Sequence, residues 1–372
     1  MSPAEEGESS REPLRSPLIA PALRRAAVYF VTIRDPGGDG HKAGGQRLMA
    51  TIKDVAAKAG VSVATVSNAL NGKSNVGSTA RRKVLDAAQA LDYRPHRAAQ
   101  AMRTGRTRAI GLVLPDLTNP FFSQLAQAVE NKARRLGLLA CLIDSQNAAA
   151  AELEGLHLLT QHGVDGIIWC PVGARLPRLL GDLGRPIVLI DRPRPGFSVV
   201  HANNAMGGRL LAHHALQQGH VRIGLLSGPR NVESAQQRRH GFVAAFPERM
   251  EIAWEVRVGF DGILPREARE ALLRRRGATL IVAGNDLIAI SAMRLLHEHG
   301  IEVPAEVSIV GFDDISWARI VTPRLTTIAQ PLGAMGTRAV ELLQERICGT
   351  TAQNPALTLD VSLVERDSVK SI

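Results

Sequence analysis

The segment Asp54-Val-Ala-Ala-Lys-Ala-Gly-Val-Ser-Val-Ala-Thr-Val-Ser-Asn-Ala-Leu-Asn-Gly72 supplies what a helix-turn-helix requires. It has small residues in a first helix, a glycine at the turn, and a second helix whose outward side chains are short enough to approach base edges. Its chemistry is recognition rather than bond making. A second set of capable groups recurs downstream, where Asp116, Asp144, Asp191, Asn285-Asp286 and Asp313-Asp314 each follow a short apolar run. Ligands of open α/β sheets gather beyond the carboxyl ends of strands, so these acids and amides are candidates to hold a polar molecule. Asp144 and Asp286 are also read as helix caps, because Asp and Asn are favoured at N-caps. A neutral, hydroxyl-rich ligand needs paired charged acceptors and donors, with an aromatic face for its C–H side.

The elements that must position these groups follow from periodicity. Ile52, Val55, Ala56 and Ala59 share one helical face, and Gly60 supplies the left-handed conformation that ends the helix. Ser62 caps a second helix, Val63 to Leu70, with Val66, Ala69 and Leu70 facing inward. A third helix runs from about Thr79 to Leu91, with Val84, Leu85, Ala88 and Leu91 on its apolar side. After a basic connector, Arg94 to Arg108, apolar strands alternate with amphipathic helices. The strands expected are Ile110–Leu114, Leu139–Ile143, Gly166–Trp169, Ile187–Ile190, Ile223–Leu226, Leu280–Ala283 and Ser308–Gly311. Helices such as Phe122–Leu136, Ala205–Gln218 and Leu287–His299 lie between them. Continuous Val/Ile/Leu runs suit parallel strands buried on both faces, which gives a doubly wound α/β body.

Charge is concentrated. The chain of 372 residues carries a net +10, yet residues 49–109 hold eleven Lys/Arg against three Asp/Glu and the rest is nearly neutral. A basic block on a neutral body is the footprint of nucleic-acid binding, although a solvated basic face has the same composition. Residues 1–48 are rich in Pro, Gly, Arg and Ser and read as a disordered extension; folded patterning begins right after Met49, an alternative translation start. No apolar run approaches a membrane span, and the stretch from Ala26 to Ile33 lacks a cleavage site, so the chain is expected to be soluble, cytoplasmic and nucleoid-associated. Cys141, Cys170 and Cys348 read as buried thiols rather than a disulfide framework. His213, His214, His220, His297 and His299 read as surface residues without metal spacing. Neither a phosphate loop nor a nucleophile with its base emerges, so no cofactor, metal or catalytic residue is expected.

The segment Asp54 to Gly72, continued by Tyr93-Arg-Pro95, resembles the headpiece of the LacI/GalR family of bacterial transcriptional regulators, and the similarity extends more loosely from Thr51 to about Arg366. The resemblance implies a helix-turn-helix headpiece over 49–96, a hinge helix and linker over 97–109, and a periplasmic-binding-protein-like body of two doubly wound subdomains over 110–372. It implies that Val63, Ala64 and Asn68 read bases, while Thr51, Ser62, Thr65, Ser67, Asn71 and Tyr93 hold phosphates or cap helices. In the hinge it implies contacts from Arg97 and Ala99, with Met102 as an apolar wedge in the minor groove, where leucine is usual. In the body it picks out Phe121, Phe122, Asp191, Arg192, Arg238, Phe260, Asn285 and Asp313 as effector residues. Asn68 stands where many relatives carry Arg or His, Asn203 where Asp is usual, and Pro247 to Pro265 is short and irregular. The function implied is a homodimeric repressor of carbohydrate genes, released from palindromic operator DNA by a small sugar-like effector. A non-sugar effector, no effector, or a transport-type sugar-binding role are the alternatives.

Overall fold

The computed structural model describes residues 27–29, 50–70, 75–93, 104–173, 183–350 and 353–372. Asn71, Arg97, Ala99 and Met102 lie outside the described residues.

Three helices open the folded chain: α1 (Ile52–Ala59), α2 (Val63–Leu70) and α3 (Ser78–Ala90). The start of α1 is set by a capping box. The Thr51 hydroxyl accepts from the Asp54 amide, and the Asp54 carboxylate accepts the Thr51 amide at 2.7 Å. Gly60 takes φ +65°, which lets the chain turn sharply into α2. Val55, Val66 and Val84, one from each helix, are fully buried at the centre of a small core. Leu85, expected on the inner side of α3, points outward at 49% exposure. Ala87 takes that place. One helical step, about 100°, separates adjacent residues, so the inner face runs through Val84, Ala87 and Ala88.

The body contains two parallel sheets. The first has seven strands in the order β1 (Ala27–Tyr29), β3 (Leu139–Asp144), β2 (Ala109–Leu114), β4 (Gly166–Trp169), β5 (Ile187–Ile190), β6 (Ser198–Ala202) and β12 (Ala356–Leu359). All pairings are parallel except β1 with β3. Three residues of the stretch read as disordered thus form an edge strand. The second sheet is β10 (Ser308–Val310), β9 (Leu280–Ala283), β7 (Arg222–Ser227) and β8 (Glu251–Arg257), also parallel. The central strands β4, β5 and β9 are buried along their whole length, as expected where helices cover both faces, whereas the edge strands β8 and β12 alternate.

The helices of the first lobe are α4 (Pro120–Arg135), α5 (Ala149–Gln161) and α10 (Leu332–Cys348); those of the second are α6 (Asn204–Gln217), α7 (Glu233–Ala244), α8 (Arg266–Arg274) and α9 (Asp286–Glu298). The chain passes between the lobes at the β6–α6 junction and through an antiparallel pair, β11 (Thr327–Ala329) and β13 (Ser362–Val364). β8 lies inside the segment read as irregular, where Glu251, Glu255 and Arg257 break up its apolar residues.

Side-chain expectations fare unevenly. Only Cys170 is buried; Cys141 is half-buried and Cys348 exposed at the end of α10. His214 and His220 are buried rather than superficial: His214 lies on the covered face of α6, and His220, three residues past its end, is enclosed by its bonds to the Thr279 hydroxyl and the Lys370 carbonyl. Asp144 caps no helix: it accepts from the Gln146 amide, and Ala148 stands at the N-cap of α5 without a side-chain bond. Asp286 is not a cap either, since Asn285 caps α9 and Asp286 turns inward.

Candidate nucleic-acid interface and effector cleft

In the headpiece, the sequence folds so that the beginning of α2 is presented outward. The Ser62 hydroxyl accepts from the Thr65 amide at 3.1 Å and pairs with the Thr65 hydroxyl at 2.9 Å, fixing the first turn. Val63 is 42% exposed although it is apolar, and Ala64 beside it is exposed too. Burial of Val66 and Ala69 on the opposite face anchors the helix. Asn68 is partly exposed on the next turn, and Thr51, at the cap of α1, is exposed. The arrangement places two short side chains and one amide on a convex, positively charged module, which is what entry into a major groove needs. Ser67 departs from its expected role. It is buried at 7% exposure, on the inner side of α2. Tyr93 packs partly against the headpiece core.

The second site is a cavity of about 270 Å³ between the lobes. The first lobe contributes Asp116, Asn119, Phe122, Asn147, Val172 and Arg192; the second contributes Pro229, Asn231, Val232, Gly259, Phe260 and Asp261. Asn119 caps α4 by accepting from the Phe121 amide at 3.0 Å, and that cap directs Phe122 into the cavity. Phe121 turns away into the core, its ring edge-on to Phe122 at 5.0 Å between centroids. Arg192 spans the base of the first lobe, its Nη1 donating to the carbonyls of Pro171 at 2.7 Å and Val172 at 3.1 Å. Its Nε lies 3.7 Å from Asp191 Oδ2 in a buried ion pair, and neither that Nε nor Asp191 Oδ1 has a hydrogen-bond partner. Asp191 also takes φ +65°, a conformation costly for a non-glycine residue and concentrated at ligand clamps.

Arg238, Asp313 and Asn285 form a layer behind Phe260 instead of lining the cavity. Arg238 is buried, and its guanidinium donates through Nε to Asn204 Oδ1 at 2.8 Å and through Nη1 to the Gly284 carbonyl at 2.8 Å. The same Nη1 lies 3.0 Å from Asp313 Oδ1. Its plane sits 3.9 Å from the Phe312 ring centroid and 5.5 Å from that of Phe260. Gln330, next to β11, donates to Asp313 at 2.7 Å, and Asn285 donates to the Phe260 carbonyl at 3.0 Å. Arg238 thus ties α7 to the β6–α6 junction, the β9 end and the β11 passage at once. Burial pushes the Asp313 carboxyl up to about 6, against the opposing pull of Arg238 and Gln330. Asp286, wholly buried and accepting from Thr327 and the Ile315 amide, is raised well above the ordinary carboxylate range by burial first and the nearby Asp313 charge second.

The close crossing of α6 and α7 holds Arg238 in place. A Cβ on Gly208 would lie 2.2 Å from the Arg238 carbonyl oxygen, and one on Gly241 would lie 2.0 Å from that of Ala205. Asn203, where the resemblance led to an expectation of Asp, caps α6 by accepting from the Met206 amide at 3.1 Å.

The cavity also uses residues that the sequence reading did not assign to it: Asn119, Asn147, Asn231 and Asp261. Each sits in a loop after a strand or before a helix, where Asx residues are common for local reasons, so type and spacing alone do not separate them from ordinary turns. Among the described residues, no group of three or more His, Cys, Asp or Glu could hold a metal ion. No helix there is long and apolar enough to cross a membrane.

A helix-turn-helix module joined to a two-lobed α/β body with a polar cavity between the lobes defines a DNA-reading regulator that responds to a small ligand. Residues 51–96 match the bacterial regulatory proteins of the lacI family, and residues 212–369 match a periplasmic binding protein-like domain. The chain belongs to the lacI family. It is 34% identical over 336 residues to the HTH-type transcriptional repressor PurR of Mannheimia succiniciproducens, covering 87% of this chain and all of that one. It is 36% identical over 304 residues to the HTH-type transcriptional regulator GalR of Escherichia coli K12, covering 79% and 88%. Its structure is similar to that of the lac repressor dimer bound to operator and the anti-inducer ONPF, with a TM-score of 0.74, 28% identity, and 86% and 99% of the two chains covered.

Proposed function

We propose that this chain is a homodimeric transcriptional repressor that reads a palindromic operator and is released by a small sugar-like effector held between its lobes. One observation carries the reading: the outward start of α2 offers Val63 and Ala64 while the same helix is anchored by Val66 and Ala69. Val63 and Ala64 are short, apolar and exposed at the first turn of α2, and the methyl of thymine is an apolar surface of matching size in the major groove. Val63, Ala64 and Asn68 are the base readers in this proposal. Thr51, Ser62, Thr65, Asn71 and Tyr93 position the module on phosphates, and Arg97, Ala99 and Met102 act at the hinge. The domain limits 49–96, 97–109 and 110–372 go with it, as does action in the cytoplasm by binding rather than catalysis.

Likeness to GalR and to the operator-bound lac repressor supports the assembly of two headpieces on two half-sites. Capture of genomic DNA fragments by the purified full chain, followed by sequencing, tests it. The expected result is a palindromic motif upstream of genes for uptake or breakdown of small polar metabolites. Capture without any motif, from protein that is folded and dimeric, refutes it.

A further inference from the structure

We propose that the cavity at the base of the first lobe is a second small-molecule site, apart from the cleft, and that it takes a phosphorylated metabolite. The cavity measures about 390 Å³ against about 270 Å³ for the cleft, and it falls within the range of about 300–1,000 Å³ that holds small ligands. The two lie at opposite ends of one sheet. Arg108, Leu138 and Asp165 stand just before β2, β3 and β4, whereas the cleft takes Asp116, Asn147 and Val172 from just after the same strands. The end of α10 closes the cavity with Gln344, Ile347 and Cys348.

Charge sets the class of ligand. Arg106 and Arg108 line the cavity with a single acid, Asp165, the reverse of the balance in the cleft, where Asp116 and Asp261 accompany Arg192. Asp165 is already engaged: its Oδ1 accepts the Thr107 amide at 2.8 Å and hydroxyl at 3.0 Å, and its Oδ2 accepts the Arg108 amide at 2.8 Å. Each guanidinium is anchored through one nitrogen to a backbone carbonyl, Arg106 Nη2 to Ile347 at 3.1 Å and Arg108 Nη2 to Leu136 at 3.0 Å. Among the described residues neither guanidinium has a carboxylate partner. Arg108 also lies across Gly137, where a Cβ would stand 2.8 Å from its Nη2, so the bare backbone there is what admits it. Two anchored guanidiniums with N–H groups to spare match a phosphate, whose three oxygens and near-double charge bridge both, better than a carboxylate, which one fork satisfies. Leu136, Leu138 and Ile347 offer an apolar wall to the carbon body of such a ligand. Another wall is Thr104–Arg108, the segment through which the chain enters the body, so an occupant ties the linker to the lobe and couples its own concentration to the linker's position.

The test follows alkylation of Cys348 by iodoacetamide in the full chain, read by peptide mass, alongside isothermal titration. Cys348 is exposed in the cavity wall, its Sγ 3.8 Å from Arg106 Nη1, whereas Cys141 is half-buried and Cys170 buried. The probes are inorganic pyrophosphate, glucose 6-phosphate, glucose, duplex DNA, and sodium chloride matched in ionic strength. The expected result is that pyrophosphate or glucose 6-phosphate binds and slows alkylation about 10-fold at about ten times its Kd, while glucose and chloride do neither. Arg106→Gln and Arg108→Gln should each weaken that binding about 10- to 100-fold, the loss of hydrogen bonds to a charged group, and Phe122→Ala, in the cleft, should not alter it. Binding that Phe122→Ala abolishes places the phosphate in the cleft and overturns the proposal. Equal slowing by matched chloride reduces the effect to screening and overturns it too. Protection by duplex DNA alone assigns the two arginines to a DNA phosphate instead of a metabolite. Silence from both phosphorylated probes in both measurements overturns the site while leaving the cleft and operator recognition untouched.

Discussion

Replacing Asp313 by Asn should make the protein gain on the wild type as pH rises. The carboxylate is 5% exposed, and its Oδ1 receives both Arg238 Nη1 at 3.0 Å and Gln330 Nε2 at 2.7 Å. An asparagine oxygen can receive the same two donors, so the substitution removes the charge while keeping the shape and the acceptor. Burial raises the folded-state value from 3.8 to about 6, about two units, which corresponds to about 3 kcal/mol. The sign follows from where the proton is held. Below about 3.8 both states are protonated and wild type and variant should be similar. Between that value and about 6 the unfolded chain releases its proton while the folded chain keeps it, so wild-type stability falls with rising pH and levels off above. Asp286 acts in the same direction, because removing the Asp313 charge relieves part of its own upward shift.

The assay is guanidinium unfolding of both proteins at four pH values from 4 to 7.5, followed by the difference in free energy rather than either absolute value. The expected difference shifts by about 2 kcal/mol in favour of Asp313→Asn between the two ends of that range, since at pH 4 part of the unfolded-state ionisation has already occurred. A difference that is flat, or in which the wild type gains on the variant with rising pH, would show that the Arg238 pairing outweighs the burial cost. It would then refute the picture of Asp313 as a carboxylate held at a loss by its surroundings.

Three further outcomes can be checked alongside. Gly241→Ala places a methyl 2.0 Å from the Ala205 carbonyl oxygen, backbone that cannot swing aside, and should cost about 1–3 kcal/mol or more, read as a lower thermal midpoint. Thr51→Ala removes the α1 cap and should cost about 0.5–2 kcal/mol of headpiece stability, seen as faster amide exchange in residues 52–59 with the body unchanged. Asn68→Ala should relax base preference at one position per half-site, worth about 1–3 kcal/mol, in a selection from randomised operators; unchanged preference with uniformly weaker binding would reassign Asn68 to a phosphate.

The headpiece was legible because its signals are local. Capping, the left-handed glycine and the apolar face of α1 all act within a few residues, and only Leu85 and Ser67 were assigned to the wrong environment. Leu85 neighbours Val84, and a helix offset of one residue is the kind of error that composition cannot resolve when both positions are apolar. The parallel strands were legible for a related reason: burial on both faces forces uninterrupted apolar runs. β6, β8, β12 and the β11–β13 pair were missed, since they mix polar and apolar residues; β12 pairs with β6 more than a hundred residues away, β11 with β13 at the lobe junction, and β8 is an edge strand held only by β7.

The body's site was legible only in part, and Arg238 shows why. The sequence places an arginine on a helix with almost no amphipathic pattern, and no local rule separates an arginine that meets solvent from one enclosed by its own fold. What decides its position is the contact of Gly208 and Gly241, which brings α6 and α7 close enough for Arg238 to reach Asn204, Gly284 and Asp313 together. Of those three partners, Asn204 lies at the β6–α6 junction between the lobes, and Gly284 and Asp313 follow β9 and β10 within the second lobe. A ligand that shifts Phe260, which rests over the same guanidinium, therefore acts on a network that reaches the lobe junction through Asn204. Coupling of about 1–3 kcal/mol between distant sites needs only one or two such hydrogen bonds to differ between two states of the molecule. The buried network behind the cleft contains three such bonds, from Arg238 to Asn204, Gly284 and Asp313, enough in number to supply it.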